Sequence, residues 1–456
     1  SSSAASDVYK RQGKTTLVKF LVEELLTGSN PKIGEVNPRA VFYFSCEQID
    51  SRDDLIELIN RYQEFSNMLD KDQRRYMFLD EISTVKDWEI AVKHLVDTDK
   101  MKNVTAILTG SHALDLKKST ERLPGRRGET DGPVNKIFMP MKFSEYIETV
   151  KPKLGSELRH IFPLERKARF QTIFNLFNGK IDEKIPIECP LYAKELRELL
   201  DGYLLTGGVM KAINQYYDKK TITNVTYEIY VQWLLGDLRK WRYEENTTRQ
   251  VLRSVVNKMT TRISAKSIAK DNEIKHHDTA TRYMTGLEQS FVLNIQYPID
   301  LHKKQANYSR EKKAYLTDPF IYHAIRGWTQ GTPDYFVHAQ DAVANNEHKS
   351  NLVEMVVADH LVRWAYDLGP SDVFTPHEKV MFWRAKKANK EKEIDFVLKH
   401  KDHLYPMEVK YQNQVSTKDL GNFAFTFNNG VLLSKDTIEM RRKYSIIPVE
   451  AFLLLI

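Results

Sequence analysis

The sequence predicts an α/β multidomain protein: a parallel sheet with helices on both faces, a helical connector, a winged helix and a second α/β domain. Three observations carry this expectation. Between residues 13 and 145, short apolar runs alternate with stretches of helical period, the pattern of a parallel sheet covered by helices. Over residues 146–243 the strands stop and the pattern is mostly helical, broken by Gly207 and Gly208. From residue 315 the chain returns to mixed strand and helix. A chain of 456 residues also exceeds what one hydrophobic core organises.

Residues 17–26 place Leu17, Val18, Leu21, Val22 and Leu25 at helical spacing. Residues 40–45 (AVFYFS), 76–79 (YMFL) and 104–108 (VTAIL) are short apolar runs suited to buried strands. Residues 54–66 and 88–96 read as the helices between them. Residues 246–296 read as three helices followed by a strand, with a wing beginning at 291–295. Residues 380–384, 394–398 and 404–409 read as strands. The expected boundaries are 13–145, 146–243, 244–314 and 315–456. Residues 1–12 (SSSAASDVYKRQ) carry no period and are set aside as a non-native tail.

Apolar residues make up 41% and charged residues 28% of the chain, a globular balance. The longest apolar stretches, such as residues 449–456, are too short to span a bilayer. Two cysteines cannot build a disulfide framework, and no signal-peptide core is visible, so the expected compartment is a reducing cytoplasm. A net charge of +7 is compatible with nucleic acid without arguing for it.

Gly13-Lys14-Thr15-Thr16 opens the first helix. A helix N-terminus exposes unpaired N–H groups, a Lys there reaches phosphates, and a hydroxyl next to it serves Mg²⁺. The first Gly of the full pattern would fall on Val8, so half of the motif is present. The second half is YMFLDE at 76–81. At the C-terminal end of a parallel strand Asp80 would hold Mg²⁺, and Glu81 would polarise the attacking water. The plainer reading is a strand ending in a solvated acidic turn. Thr109 or Ser111 could sense a γ-phosphate, and Arg126 or Arg127 in LPGRRG could act as an arginine finger or form a solvated basic loop. The expected ligands are ATP and Mg²⁺.

In the last third, Glu408 and Lys410 share one face of a strand, and Asp395 lies on the strand before it. Glu354, on a helix beginning near Asn351, can supply a third carboxylate. Glu354, Asp395 and Glu408 are thus candidate metal ligands, with Lys410 orienting a nucleophile for phosphodiester hydrolysis. A hairpin with charged outer faces looks the same. In the middle, Lys275, His276, His277 and Arg282 would sit at or near a recognition helix and meet double-stranded DNA, or form a solvated helix start.

GKTTLVKFL, FLDEIS with Trp88 seven residues after Glu81, ILTGSHALDL, LPGRRG and MPMKFSEYI follow in that order, with YLLTGGVMKA and YLTDPFI further on. Together they resemble the archaeal and bacterial ATPases in which an AAA domain is joined to a C-terminal domain of unknown function 4143. The resemblance implies a P-loop ATPase core, a helical and winged-helix middle, and a PD-(D/E)xK-like C-terminus. The departure is the missing first half of the P-loop. The resulting expectation is an ATPase coupled to a nuclease-like module that cuts or binds DNA; the alternative is an ATP-dependent switch whose last module only binds DNA or protein. Cleavage assays on Asp395→Ala separate the two. Loss of Mg²⁺-dependent cutting supports the nuclease, and a wild type that hydrolyses ATP yet cuts no nucleic acid supports the switch.

Overall fold

The computed structural model describes residues 13–66, 73–110, 123, 134–240, 242–369, 375–387, 390–412, 415 and 419–456. The chain divides between residues 139 and 140 into two compact units.

In the first unit, helix α1 (Lys14–Thr27) precedes strand β1 (Val41–Ser45), helix α2 (Arg52–Ser66), strand β2 (Arg75–Asp80), helix α3 (Trp88–Asp97) and strand β3 (Val104–Leu108). The strands pair in parallel in the order β1-β2-β3, with Ser45 opposite Asp80 and Leu79 opposite Leu108. Side chains of β2 alternate between two cores. Met77 and Leu79 join Leu55 and Ile59 of α2 and Trp88 and Leu95 of α3, while Phe78 joins Val18 and Leu25 of α1. The sheet therefore carries helices on both faces, as period-2 burial of a parallel strand requires.

The second unit begins with helices α4 (Phe143–Val150), α5 (Pro152–Leu158), α6 (Arg166–Phe177), α7 (Lys184–Thr206), α8 (Met210–Lys219) and α9 (Asn224–Lys240). Then come α10 (Glu245–Asn257), β4 (Arg262–Ile263), α11 (Ala265–Asp271), α12 (His277–Gln289), β5 (Leu293–Gln296), the short pair β6 (Ile299–Asp300) and β7 (Gln305–Ala306), and β8 (Lys312–Leu316). Strands β4, β8 and β5 form an antiparallel sheet with β8 in the centre. Helices α13 (Pro319–Gln330), α14 (Tyr335–Ala344) and α15 (Asn346–Leu368) lead to β9 (Val380–Lys387), β10 (Lys390–His400), β11 (His403–Lys410), α16 (Gly421–Thr426), β12 (Gly430–Ser434), β13 (Glu439–Arg441), β14 (Tyr444–Pro448) and α17 (Val449–Leu455). The six-stranded sheet runs β13-β14-β12-β11-β10-β9. It is parallel across β11, β12 and β14 and antiparallel elsewhere. Among the described residues no helix is long and apolar enough to cross a membrane.

Three differences from expectation have clear causes. The boundary expected at 145/146 falls inside α4, because Phe143, Tyr146 and Ile147 are fully buried in the core of the second unit. The boundary expected at 314/315 falls inside β8, whose Ala314, Tyr315 and Leu316 are buried in that same core. The helix bearing Glu354 starts at Asn346, where the Asn345 side chain caps the His348 N–H.

The stretch after residue 139 is clasped to the second unit through its backbone. The Met141 N–H donates to Gly208 O at 3.0 Å, and Tyr203 Oη donates to Met141 O at 2.8 Å. Arg363 donates to Pro140 O. The Phe143 N–H donates to His360 Nε2 at 3.0 Å. Gly208 is required here, since a Cβ would lie 2.2 Å from Met141 O. The same turn is fixed by Asp318, which accepts the N–H groups of Gly208 at 2.8 Å, Phe320 at 2.8 Å and Ile321 at 3.3 Å. Asp318→Ala removes a helix cap and leaves buried donors unpaired, so it should destabilise the second unit by about 2–4 kcal/mol. Urea unfolding followed by circular dichroism measures this, and an unshifted midpoint would show that Asp318 is dispensable to the turn.

Candidate functional site

The first constellation lies at the C-terminal ends of the parallel strands. Gly13 precedes α1 with φ 90°, in the left-handed region that glycine favours. A Cβ there would also approach Phe138 to 2.8 Å. Among the described residues the α1 N-terminus has no side-chain cap, its N-cap being Gly13, and a helix start of this kind presents N–H groups to an anion. Lys14 Nζ donates to Gly110 O at 2.8 Å and lies 3.8 Å from Glu81 Oε1. Thr15 Oγ1 donates to Asp80 Oδ2 at 2.7 Å.

Asp80 is fully buried at the tip of β2. Two further hydroxyls reach it: Thr109 Oγ1 to Oδ1 at 2.5 Å and Tyr43 Oη to Oδ2 at 3.3 Å. Thr109 Oγ1 in turn accepts the Glu81 N–H at 2.9 Å. Burial, with the Asp80 charge beside it, pushes the Tyr43 phenol up to about 12, which keeps it a donor at neutral pH. Glu81 itself has φ 53° and ψ 43°, an uncommon backbone state for a non-glycine residue. The structure thus brings Lys14, Thr15, Asp80 and Glu81 together. Thr16 is exposed one position further along α1, while Ser111, Arg126 and Arg127 lie outside the described residues. A hydroxyl, a buried carboxylate and an ammonium beside uncapped amides are hard oxygen ligands and anion donors, so these residues fit a magnesium–nucleotide. Tyr43 was not singled out from the sequence: its place in an apolar run gives no sign that it faces Asp80.

The second constellation is in the other unit. Asp395 and Glu408 lie side by side on β10 and β11. The Asp395 N–H donates to Glu408 Oε2 at 3.3 Å, and the Val409 N–H donates to Asp395 Oδ2 at 3.0 Å. The pairing of β10 with β9 shifts register between Ile394 and Val397, an irregularity of the kind that re-aims side chains. Lys410 Nζ sits 2.8 Å from Glu408 Oε1. Glu354 reaches the same place from α15.

The centre is held by a residue that sequence reasoning missed. Lys313 of β8 is 1% exposed. Its Nζ lies 2.8 Å from Glu393, 3.2 Å from Asp395 and 3.3 Å from Glu354. Tyr315, two positions along the same strand, donates its Oη to Glu354 Oε1 at 2.7 Å. KKAYL holds two adjacent lysines, and nothing in the sequence marks Lys313 as the buried one. Burial, with the Asp395 charge next in effect, pushes the Glu408 carboxyl up to about 8. Burial pushes Glu354 up to about 7 against the pull of Lys313. Both carboxyls therefore hold a proton to higher pH than an ordinary glutamate does. Among the described residues, no three His, Cys, Asp or Glu side chains are arranged to hold a metal ion. Each of the three candidate ligands already faces an ammonium: Glu354 and Asp395 face Lys313, and Glu408 faces Lys410.

The middle segment exposes Lys275, His276, His277 and Arg282. Arg282 lies over the rings of Tyr243 and Tyr283 at 5.6 and 5.3 Å. His276 caps α12 by position, and His277 Nε2 is 3.5 Å from Asp278.

The parallel sheet fits an AAA-type domain, and an AAA domain is found over residues 9–147. An AAA domain implies nucleotide binding. A domain of unknown function, DUF4143, is found over residues 349–452, and a second, DUF8612, matches residues 197–332. The latter spans the boundary expected at 243/244. The chain is similar to an uncharacterized protein of Methanocaldococcus jannaschii, 24% identical over 371 residues, covering 80% of this chain and 68% of the relative. No solved structure matches the chain.

The raised carboxyls carry a sign for stability. Glu354 and Glu408 bind a proton more readily folded than unfolded, so their contribution is complete below the ordinary value of 4.5 and is lost as pH rises through about 7 and 8. The melting midpoint of the second unit should fall between about pH 6 and pH 9, and Glu408→Gln should remove part of that slope. Differential scanning calorimetry across that range checks it; a midpoint that climbs would be the wrong sign.

Proposed function

We propose that the chain binds ATP with Mg²⁺ between Lys14, Thr15 and Asp80, hydrolyses it slowly, and uses that cycle to change how its C-terminal half engages DNA. The observation that carries the first part is the bond from Thr15 to Asp80 with Lys14 beside Glu81. Magnesium, when bound, would neutralise phosphate charge. Thr15 and Asp80 would hold it, and Lys14 would exchange Gly110 O for phosphate oxygens. Glu81, kept at the crevice by its left-handed turn and by the Thr109 contact, would orient and deprotonate the attacking water. Thr109 would position both carboxylates, through the Asp80 side chain and the Glu81 backbone.

For the remainder, the antiparallel order β4-β8-β5 behind α10, α11 and α12 supports a winged helix, with Lys275 and Arg282 exposed for phosphate contact. The pairing of Asp395 with Glu408 and Lys410, with Glu354 on the adjoining helix, supports a PD-(D/E)xK-like arrangement. The reading in which this module binds without cutting is favoured by one specific observation: Lys313 occupies the centre of the carboxylates.

Lys14→Ala should weaken ATP binding by about 10- to 100-fold, the worth of a charge-assisted contact. Glu81→Gln should keep ATP binding and slow hydrolysis by about 10²- to 10⁴-fold. Calorimetric titration and a phosphate-release assay measure the two. A Lys14→Ala chain that binds and hydrolyses ATP like the wild type would end the assignment.

A further inference from the structure

The buried cation of the second unit has a role that the nucleotide site does not explain. Burying an ammonium is costly unless opposite charges surround it. Lys313 meets this condition through carboxylates from two elements: Glu354 on α15, and Glu393 and Asp395 on β10. The Phe382 ring of β9 covers it at 5.7 Å. Glu393 also meets Arg262 of β4 at 3.6 Å. Cations from the small sheet β4-β8-β5 are therefore inserted into the acidic face of the large sheet.

The carboxylates that the resemblance assigns to a metal are engaged within the chain. Asp395 Oδ1 faces Lys313, and Asp395 Oδ2 accepts the Val409 N–H. Glu408 Oε1 faces Lys410, and Glu408 Oε2 accepts the Asp395 N–H. Glu354 Oε1 takes both Lys313 and the Tyr315 hydroxyl. A magnesium ion demands oxygen ligands at about 2.0–2.1 Å in octahedral order. The Lys313 ammonium lies 3.2 Å from Asp395 Oδ1 and 3.3 Å from Glu354 Oε1, with Lys410 against Glu408, and these charges repel a second cation at such distances.

We propose that Lys313 is the resident cation of this cluster, taking the place of a divalent metal, and that the C-terminal module engages its partner without metal and without cutting it. The inference rests on the binding reading of that module and is independent of the nucleotide site. The ammonium staples β8 to α15 and β10, so the small and large sheets move as one piece. Neutralising Lys313 while keeping its length leaves the carboxylates without a counter-charge, and they then draw in a divalent ion.

The test is Mn²⁺ titration by electron paramagnetic resonance on the full chain without nucleotide. The proteins are the wild type, Asp395→Asn, Lys313→Met and the double variant. Any Mn²⁺ held elsewhere is common to all four and cancels. The expected result is identical binding by the wild type and Asp395→Asn, and one additional Mn²⁺ in Lys313→Met that the double variant loses. A wild type that loses a Mn²⁺ on Asp395→Asn overturns the proposal. So does a folded Lys313→Met that gains none, or one whose gain survives Asp395→Asn. If Lys313→Met does not fold, the comparison of wild type with Asp395→Asn still decides, joined by plasmid cleavage with Mn²⁺. An intact plasmid supports the proposal, and cutting that Asp395→Asn abolishes overturns it. ATP titration of the same wild-type sample shows separately whether the nucleotide reading stands.

Discussion

A lysine shut away from water has to be neutralised, and in the second unit that requirement organises much of what surrounds it. Lys313 sits in the central strand of a three-stranded sheet, yet its charge is balanced by side chains from a long helix and from a strand of another sheet. The carboxylates are in turn fixed by Tyr315, the Val409 and Asp395 backbone N–H groups, and Lys410. Removing one partner from such a network leaves a buried charge uncompensated, which costs far more than the pair contributes. The network therefore sets the register in which the small sheet, the helix and the hairpin can coexist.

The first unit solves a related problem with hydroxyls. Asp80 is as deeply buried as Lys313, but its neighbours are Thr15, Thr109 and Tyr43, each of which donates a hydrogen bond. Hydroxyls satisfy a carboxylate while leaving its net charge in place. Such a carboxylate still attracts a cation, whereas one facing an ammonium does not. The same residue type, aspartate at a strand, is thus met by hydroxyls in one unit and by an ammonium in the other.

Much of the first unit was legible because parallel strands advertise themselves. Residues 40–45, 76–79 and 104–108 are short apolar runs, and a motif such as GKTT fixes the helix start next to them. The hairpin of Asp395 and Glu408 was also legible, since alternation along a strand assigns faces without knowledge of the fold. Lys313 was not. Its partners Glu354, Glu393 and Asp395 all lie 41 or more residues away, and no local period distinguishes a buried lysine from a solvated one. Tyr43 escaped for the same reason.

By itself, the sequence determined the alternation of strand and helix, the hydroxyl and ammonium at the start of α1, and the carboxylates at the tips of β2 and along β10 and β11. Those features depend on neighbours a few residues apart. Only the tertiary structure decided that β8 belongs to the same compact unit as the six-stranded sheet, and that its lysine fills the space among Glu354, Glu393 and Asp395. The physical reason is that whether a carboxylate stands open or closed depends on which counter-charge the folded chain brings within ion-pair distance. Packing of distant segments settles that, and local propensity does not.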